Sequence, residues 1–123
     1  MDYGIFLPIQ KAGVVALNEN QNCVETTRQT YIHRRNLMVR CFQEAGWQIR
    51  PNRATMFLWA RIPQGYADSE AFALALLKHC GIIVTPGTSF GREGERYVRI
   101  ALVVEDAQIE EAGRRLKESG LFR

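Results

Sequence analysis

The sequence predicts an α+β domain: a small sheet with amphipathic helices packed on one of its faces. Three observations carry that prediction. Apolar residues recur at helical spacing in several segments, the stretch TMFLWARIP alternates at the period of a strand, and the glycine-dense stretch TPGTSFGREGE is followed at once by a second alternating stretch, RYVRIALVV. At 123 residues the chain has the length of one domain.

The elements follow in order. Residues 2–22 read as a short helix with Pro8 in its first turn, Ile9, Ala12, Ala16 and Leu17 on one face, and a polar break at residues 18–22. Phe6 joins that apolar face, which has little of its own to pack on. The strongest helix begins at Asn22, a residue suited to capping, with Glu25 placed to reach back from the third helical position. Val24, Tyr31, Met38, Phe42 and Ala45 lie along one side of it, and Gly46 stops it. Arg34, Arg35 and Arg40 on the same helix offer an anion-binding face or a solvated one.

Residues 47–50 suggest a short strand ended by Pro51, and residues 55–63 a longer one. In the longer strand Met56, Leu58, Ala60 and Ile62 should face the core, leaving Thr55, Phe57, Trp59 and Arg61 on the opposite side. Asp68 can cap a helix whose stripe is Phe72, Leu76 and Leu77, with Gly81 at its end. Residues 82–84 read as a brief buried strand. After the loop, Val98, Ile100, Leu102 and Val104 should face inward, and Tyr97, Arg99, Ala101 and Val103 outward. A last helix runs from acidic Asp106, Glu110 and Glu111 to basic Arg114, Arg115 and Lys117, the order that the helix dipole favours.

Composition narrows the function. A net charge of +3, with basic and acidic residues interspersed, gives little support to nucleic-acid binding. No apolar run is long enough to span a membrane, and the N-terminus lacks the layout of a signal peptide. Cys23, Cys41 and Cys80 are too far apart for a metal or disulfide motif and are read as reduced thiols of the cytoplasm. His33 and His79 have no spacing that would make them co-ligands.

The loop and the strand after it hold the candidate chemistry. Gly87, Gly91 and Gly94 would let backbone N–H groups approach an anion, or would simply make a tight connection. The pattern is neither a P-loop nor a dinucleotide-binding turn. Arg99 stands on the outward face of an otherwise apolar strand. It could clamp a carboxylate with two parallel hydrogen bonds, or lay its stem over apolar surface with its head in water.

The string VTPGTSFGREGERYVRIAL resembles the C-terminal signature of the class I/II aminotransferases, the fold-type-I enzymes that use pyridoxal 5'-phosphate. DYGIFLPIQKAGVVAL, YIHRRNLMVRCFQEAGW, ATMFLWARIP and GLFR are similar to stretches of the same family in the same order, so the resemblance covers essentially the whole chain. The nearest subgroup is the LL-diaminopimelate aminotransferases and their aspartate- or aromatic-type relatives. The resemblance implies that Arg99 binds the α-carboxylate of an amino acid or 2-oxo acid. It also places Gly87 and Phe90, in the loop at 86–91, near the substrate, and puts Met56 where relatives often carry an aromatic.

In family members the Schiff-base lysine, the phosphate-binding arginine and the residues around the cofactor ring precede the position matching Tyr3. Neither Lys11 nor Lys78 matches the cofactor-lysine motif. The expectation is therefore a C-terminal piece: residues 1–21 a remnant of the large domain, and residues 22–123 the connecting helix and small domain. The parent would be a homodimer that uses pyridoxal 5'-phosphate. The piece alone would have no catalytic lysine, no cofactor and no activity. An alternative is a non-catalytic α+β module that binds amino acids or regulates through the same clamp. On the first reading, the Arg99 guanidinium lies beside the loop at 86–91, without a standing partner such as Glu95 or Glu105.

Overall fold

The structure is a computed structural model that describes residues 4–122; Asp2, Tyr3 and Arg123 of the quoted motifs lie outside the described residues. The chain divides into two compact units, Met1–Thr30 and Tyr31–Arg123.

The first unit contains α1 (Leu7–Asn18) and the beginning of α2 (Asn22–Glu44). Pro8 stands in the first turn of α1, where its missing N–H has no partner to lose. No residue of α1 is buried: Phe6 just before it is 71% exposed and Leu17 82%. The cap of α2 differs from expectation. Asn22 lies within the helix, and its N–H donates to the Asn20 side chain at 2.8 Å. Glu25 turns instead to Arg28 and Gln29 on its own helix, since an ion pair one turn away competes well for an exposed carboxylate. Its carboxyl is held down to about 2, chiefly by the hydrogen bond from Arg28. Val24, expected on the apolar side, is exposed.

The second unit is built on a three-stranded antiparallel sheet: β1 (Phe57–Arg61), β2 (Thr85–Pro86) and β3 (Tyr97–Ala101), with β3 central. The alternation holds within the strands, while Met56 before β1 and Val104 after β3 are only half-buried. Leu58, Ala60 and Ile62 are buried, as are Val98, Ile100 and Leu102. The rest of α2, α3 (Ser69–Cys80) and α4 (Asp106–Ser119) bring Met38, Phe42, Phe72, Leu76, Ile109 and Leu116 into the same core. Each such side chain contributes about 1.5–3 kcal/mol by leaving water.

The stripe of α3 runs Phe72, Leu76, Cys80 rather than through Leu77, which is half exposed. Asp68 caps this helix by accepting the Ala71 N–H at 2.8 Å, and Gly81 ends it with φ of 64°. At Gly113 a Cβ would stand 2.7 Å from the Cβ of Cys41, so only glycine lets α4 lie this close to α2. Arg34 to Glu105 at 2.8 Å and His33 to Asp106 at 2.7 Å tie the start of α4 to α2.

Two short strands are not where the sequence suggested. Residues 47–50 form no strand. Trp47 instead enters the core between Phe42 and Phe122, with ring centroids 5.6 and 5.4 Å away, and its indole N–H donates to the Arg61 carbonyl at 2.9 Å. Satisfying that donor in the core outweighs the local preference for an extended chain. The edge strand β2 lies just after residues 82–84, where Thr85 pairs with Arg99 and Pro86 with Val98. Pro86 has no N–H to extend the ladder, which keeps this edge short.

Candidate functional site

The sheet face opposite the core carries the residues that sequence reasoning singled out. Register explains the grouping: Trp59 on β1 and Thr85 on β2 both pair with Arg99 on β3, so the three side chains share one face. The Arg99 guanidinium carbon lies 4.4 Å from the centre of the Phe57 ring and 4.6 Å from that of Phe90, over both rings. One of its terminal nitrogens stands 3.5 Å from the Thr85 hydroxyl, a contact at the limit of a hydrogen bond. None of the ion pairs among the described residues involves Arg99. The guanidinium thus lies beside the loop, with the Phe90 ring against its head.

Aromatic rings continue across the face. Trp59 stacks on Tyr97 at 5.5 Å and meets the edge of Phe90 at 5.7 Å. Trp59 is 43% exposed and Phe90 52%, a high exposure for large rings that touch one another and a cation. The site is therefore an open, ring-lined face with the Arg99 guanidinium among the rings. It offers planar, two-pronged hydrogen bonding to an anion with apolar surface alongside.

The loop before β3 folds into two 3-10 turns, Gly87–Phe90 and Arg92–Gly94, and its glycines are explained by their own packing. A Cβ at Gly87 would lie 2.5 Å from the Tyr97 carbonyl oxygen and closer still to that of Gly94. Gly87 and Gly94 pack backbone to backbone, which locks one turn on the other. Gly91, between them, has a φ of 118° that only glycine adopts without strain. The buried Ser69 hydroxyl accepts the Thr88 N–H at 3.4 Å, pinning the first turn to the start of α3.

Sequence reasoning missed two supports. Arg96 donates to the carbonyls of Pro63, Tyr66 and Ala67 at 2.9, 2.6 and 3.2 Å, fastening the entry of β3 to the loop after β1. Asn52 donates to the Phe57 carbonyl at 2.6 Å, and Arg35 donates to the Asn52 carbonyl at 3.0 Å. These bonds hold the approach to β1, where Thr55 has a φ of 72°. Met56 is half-buried there, and its carbonyl accepts the Leu102 N–H at 2.9 Å. The ring beside Arg99 comes from the next residue, Phe57. No motif marks Phe57; only its diagonal place across the β1–β3 ladder could have suggested it.

A pyridoxal phosphate site needs a lysine to carry the cofactor and a cradle for its phosphate. Lys11 on α1, Lys78 on α3 and Lys117 on α4 are all exposed helix residues, and neither glycine-bearing 3-10 turn leads into a helix that would hold a phosphate. The described residues do not fit the cofactor, and no chemical step is assigned to it within this chain. Two of the three thiols are unsuited to nucleophilic work: Cys80 is buried, and burial pushes the Cys41 thiol up, while Cys23 is exposed on α2. No helix among the described residues is long and apolar enough to cross a membrane.

Comparison with known proteins gives the family. The family described as aminotransferase class I and II matches residues 5–116. The chain is 42% identical over 121 residues to the LL-diaminopimelate aminotransferase of Halothermothrix orenii, covering 98% of this chain and 31% of the relative. It is 40% identical to the glutamate-pyruvate aminotransferase AlaC of Escherichia coli, covering 99% of this chain and 30% of that protein. Among solved structures, an aminotransferase from Staphylococcus aureus superposes with a TM-score of 0.88 at 32% identity, covering 99% of this chain and 32% of that one. The chain thus spans about a third of the length of the curated relatives it matches.

Proposed function

This chain belongs to the class I and II aminotransferases, and from that premise we propose that it is the substrate-carboxylate half of the catalytic unit. On this reading residues 22–123 are the connecting helix and C-terminal small domain of a longer enzyme, and residues 1–21 belong to its large domain. That large domain covers the apolar residues Phe6, Ile9 and Leu17. The enzyme moves an amino group between an amino acid and a 2-oxo acid and acts as a homodimer. Pyridoxal 5'-phosphate, when bound to the large domain, supplies the electron sink for that transfer.

Arg99 receives the substrate's α-carboxylate in two parallel hydrogen bonds and so fixes which Cα bond is presented for reaction. The ring-lined face around it excludes water when the two domains close. The observation that carries the reading is the state of Arg99: a guanidinium on the open face of the sheet, steadied by two rings, with no carboxylate of its own chain upon it among the described residues.

Two measurements test the proposal. In the intact enzyme, Arg99→Ala should reduce kcat/KM by the equivalent of about 2–5 kcal/mol, the scale for removing one partner of a desolvated charge pair. Arg99→Lys should recover part of the loss, because an ammonium offers no fork. Wild-type activity in Arg99→Ala overturns the assignment. The 123-residue chain alone, incubated with pyridoxal phosphate and reduced with borohydride, should transfer no amino group and carry no pyridoxyl adduct. A specific, stoichiometric adduct on Lys11 or Lys78 contradicts that half of the reading.

A further inference from the structure

Arg99 works as a clamp only if its long side chain is held, and the structure shows what holds it. The head group has five N–H donors, and among the described residues its only hydrogen bond is the 3.5 Å contact with Thr85. Backbone hydrogen bonding gives it no orientation. Its orienting contacts are the Phe57 and Phe90 rings, 4.4 and 4.6 Å from the guanidinium carbon.

Phe90 is more than half exposed, so burial does not account for its position. It ends a turn that the Gly87–Gly94 contact and the Ser69–Thr88 hydrogen bond hold rigid, and the edge of Trp59 supports its ring at 5.7 Å. Phe57, on the other side of β3, is anchored through the Asn52 bond to its carbonyl.

We infer that Phe57 and Phe90 are positioning residues for carboxylate recognition: their rings hold the Arg99 guanidinium in place, so that its N–H edge is presented to the ligand before the ligand arrives. The inference rests on the reading of Arg99 as the carboxylate clamp. The attraction of a cation to a ring face, together with the rotamer freedom already removed, strengthens carboxylate binding without adding a contact to the ligand. It also gives the 86–91 loop a purpose distinct from anion binding, since its tight turn serves to aim one ring.

The test compares Phe90→Leu with Phe90→Tyr in the intact enzyme, using KM for the amino acid and the inhibition constant of pentanoate, a plain carboxylate probe. Leucine keeps apolar bulk without a π face, whereas tyrosine keeps the face. Phe90→Leu should weaken both constants by about 3- to 30-fold, the range of one cation–π contact. The value of kcat should change less than KM, because the interaction is shared by ground and transition states. Phe90→Tyr should stay within about twofold of wild type on this account, and Phe57→Leu should behave like Phe90→Leu.

Wild-type constants in Phe90→Leu, or equal losses in the Leu and Tyr variants, overturn the inference. Arg99→Ala, measured beside them, separates the two levels. If it leaves pentanoate inhibition unchanged, the clamp reading itself falls. If it abolishes inhibition while both Phe→Leu variants bind normally, only the positioning role falls.

Discussion

Gly87→Ala probes the loop where its geometry is least forgiving. The new Cβ would meet the Tyr97 carbonyl oxygen at 2.5 Å and the Gly94 carbonyl oxygen at a still shorter distance, and both are backbone atoms. An acceptable carbon–oxygen separation is about 3.3 Å, so the two turns must part by about 1 Å. Neither side yields easily, since Pro86 is registered against Val98 and Thr88 is bonded to Ser69. Forced insertion of a methyl group into a packed site costs about 1–3 kcal/mol, and backbone on both sides argues for the upper end. For a chain of this size that corresponds to a fall in Tm of about 10 °C. Thermal unfolding followed by circular dichroism measures it, with Gly65→Ala as the control because nothing lies within 4 Å of its Cβ position. If Gly87→Ala melts within a degree or two of Gly65→Ala, the backbone contact is not the reason for glycine at this position.

Two further outcomes are expected. Asp68→Ala removes the acceptor of the Ala71 N–H and should destabilise the fold by about 1 kcal/mol, read as a lower denaturation midpoint with an unchanged denaturant slope. Glu111 accepts from Arg114 and Arg115, and these bonds hold its carboxyl down to about 2. A carboxyl lowered in the folded chain adds stability above its unfolded value near 4.5 and loses it as pH falls toward 2. Glu111→Gln should therefore flatten the fall of Tm with pH across that window, by a small amount that 1 M salt reduces because these ion pairs lie at the surface.

Much of this fold could be read from residue spacing, and the exceptions have physical causes. The inward sets of β1 and β3 were legible because strand alternation leaves no choice of face once one set is uniformly apolar. Asp68 and Gly81 were legible as helix ends because capping chemistry is local. Trp47 departs from the strand its local sequence suggests because its partners Phe122 and the Arg61 carbonyl are distant in sequence. The loop glycines suggested an approach to a ligand, but it takes the folded chain to show Gly87 set against Gly94. Arg99 was found through an alternating pattern and a family resemblance. Phe57 was not, because a diagonal cross-strand contact depends on a register that no single strand reveals.

The central claim is that Arg99 takes the substrate carboxylate, and a crystal structure of the intact enzyme with a bound amino acid or 2-oxo acid tests it most directly. The account predicts two parallel N–H···O bonds from the Arg99 guanidinium to one carboxylate, each about 2.7–2.9 Å long. It also predicts that the Phe57 and Phe90 rings stay against the head group, at or near their present 4.4 and 4.6 Å. A ligand carboxylate bound to any other residue, with Arg99 still resting on Thr85 alone, would contradict it.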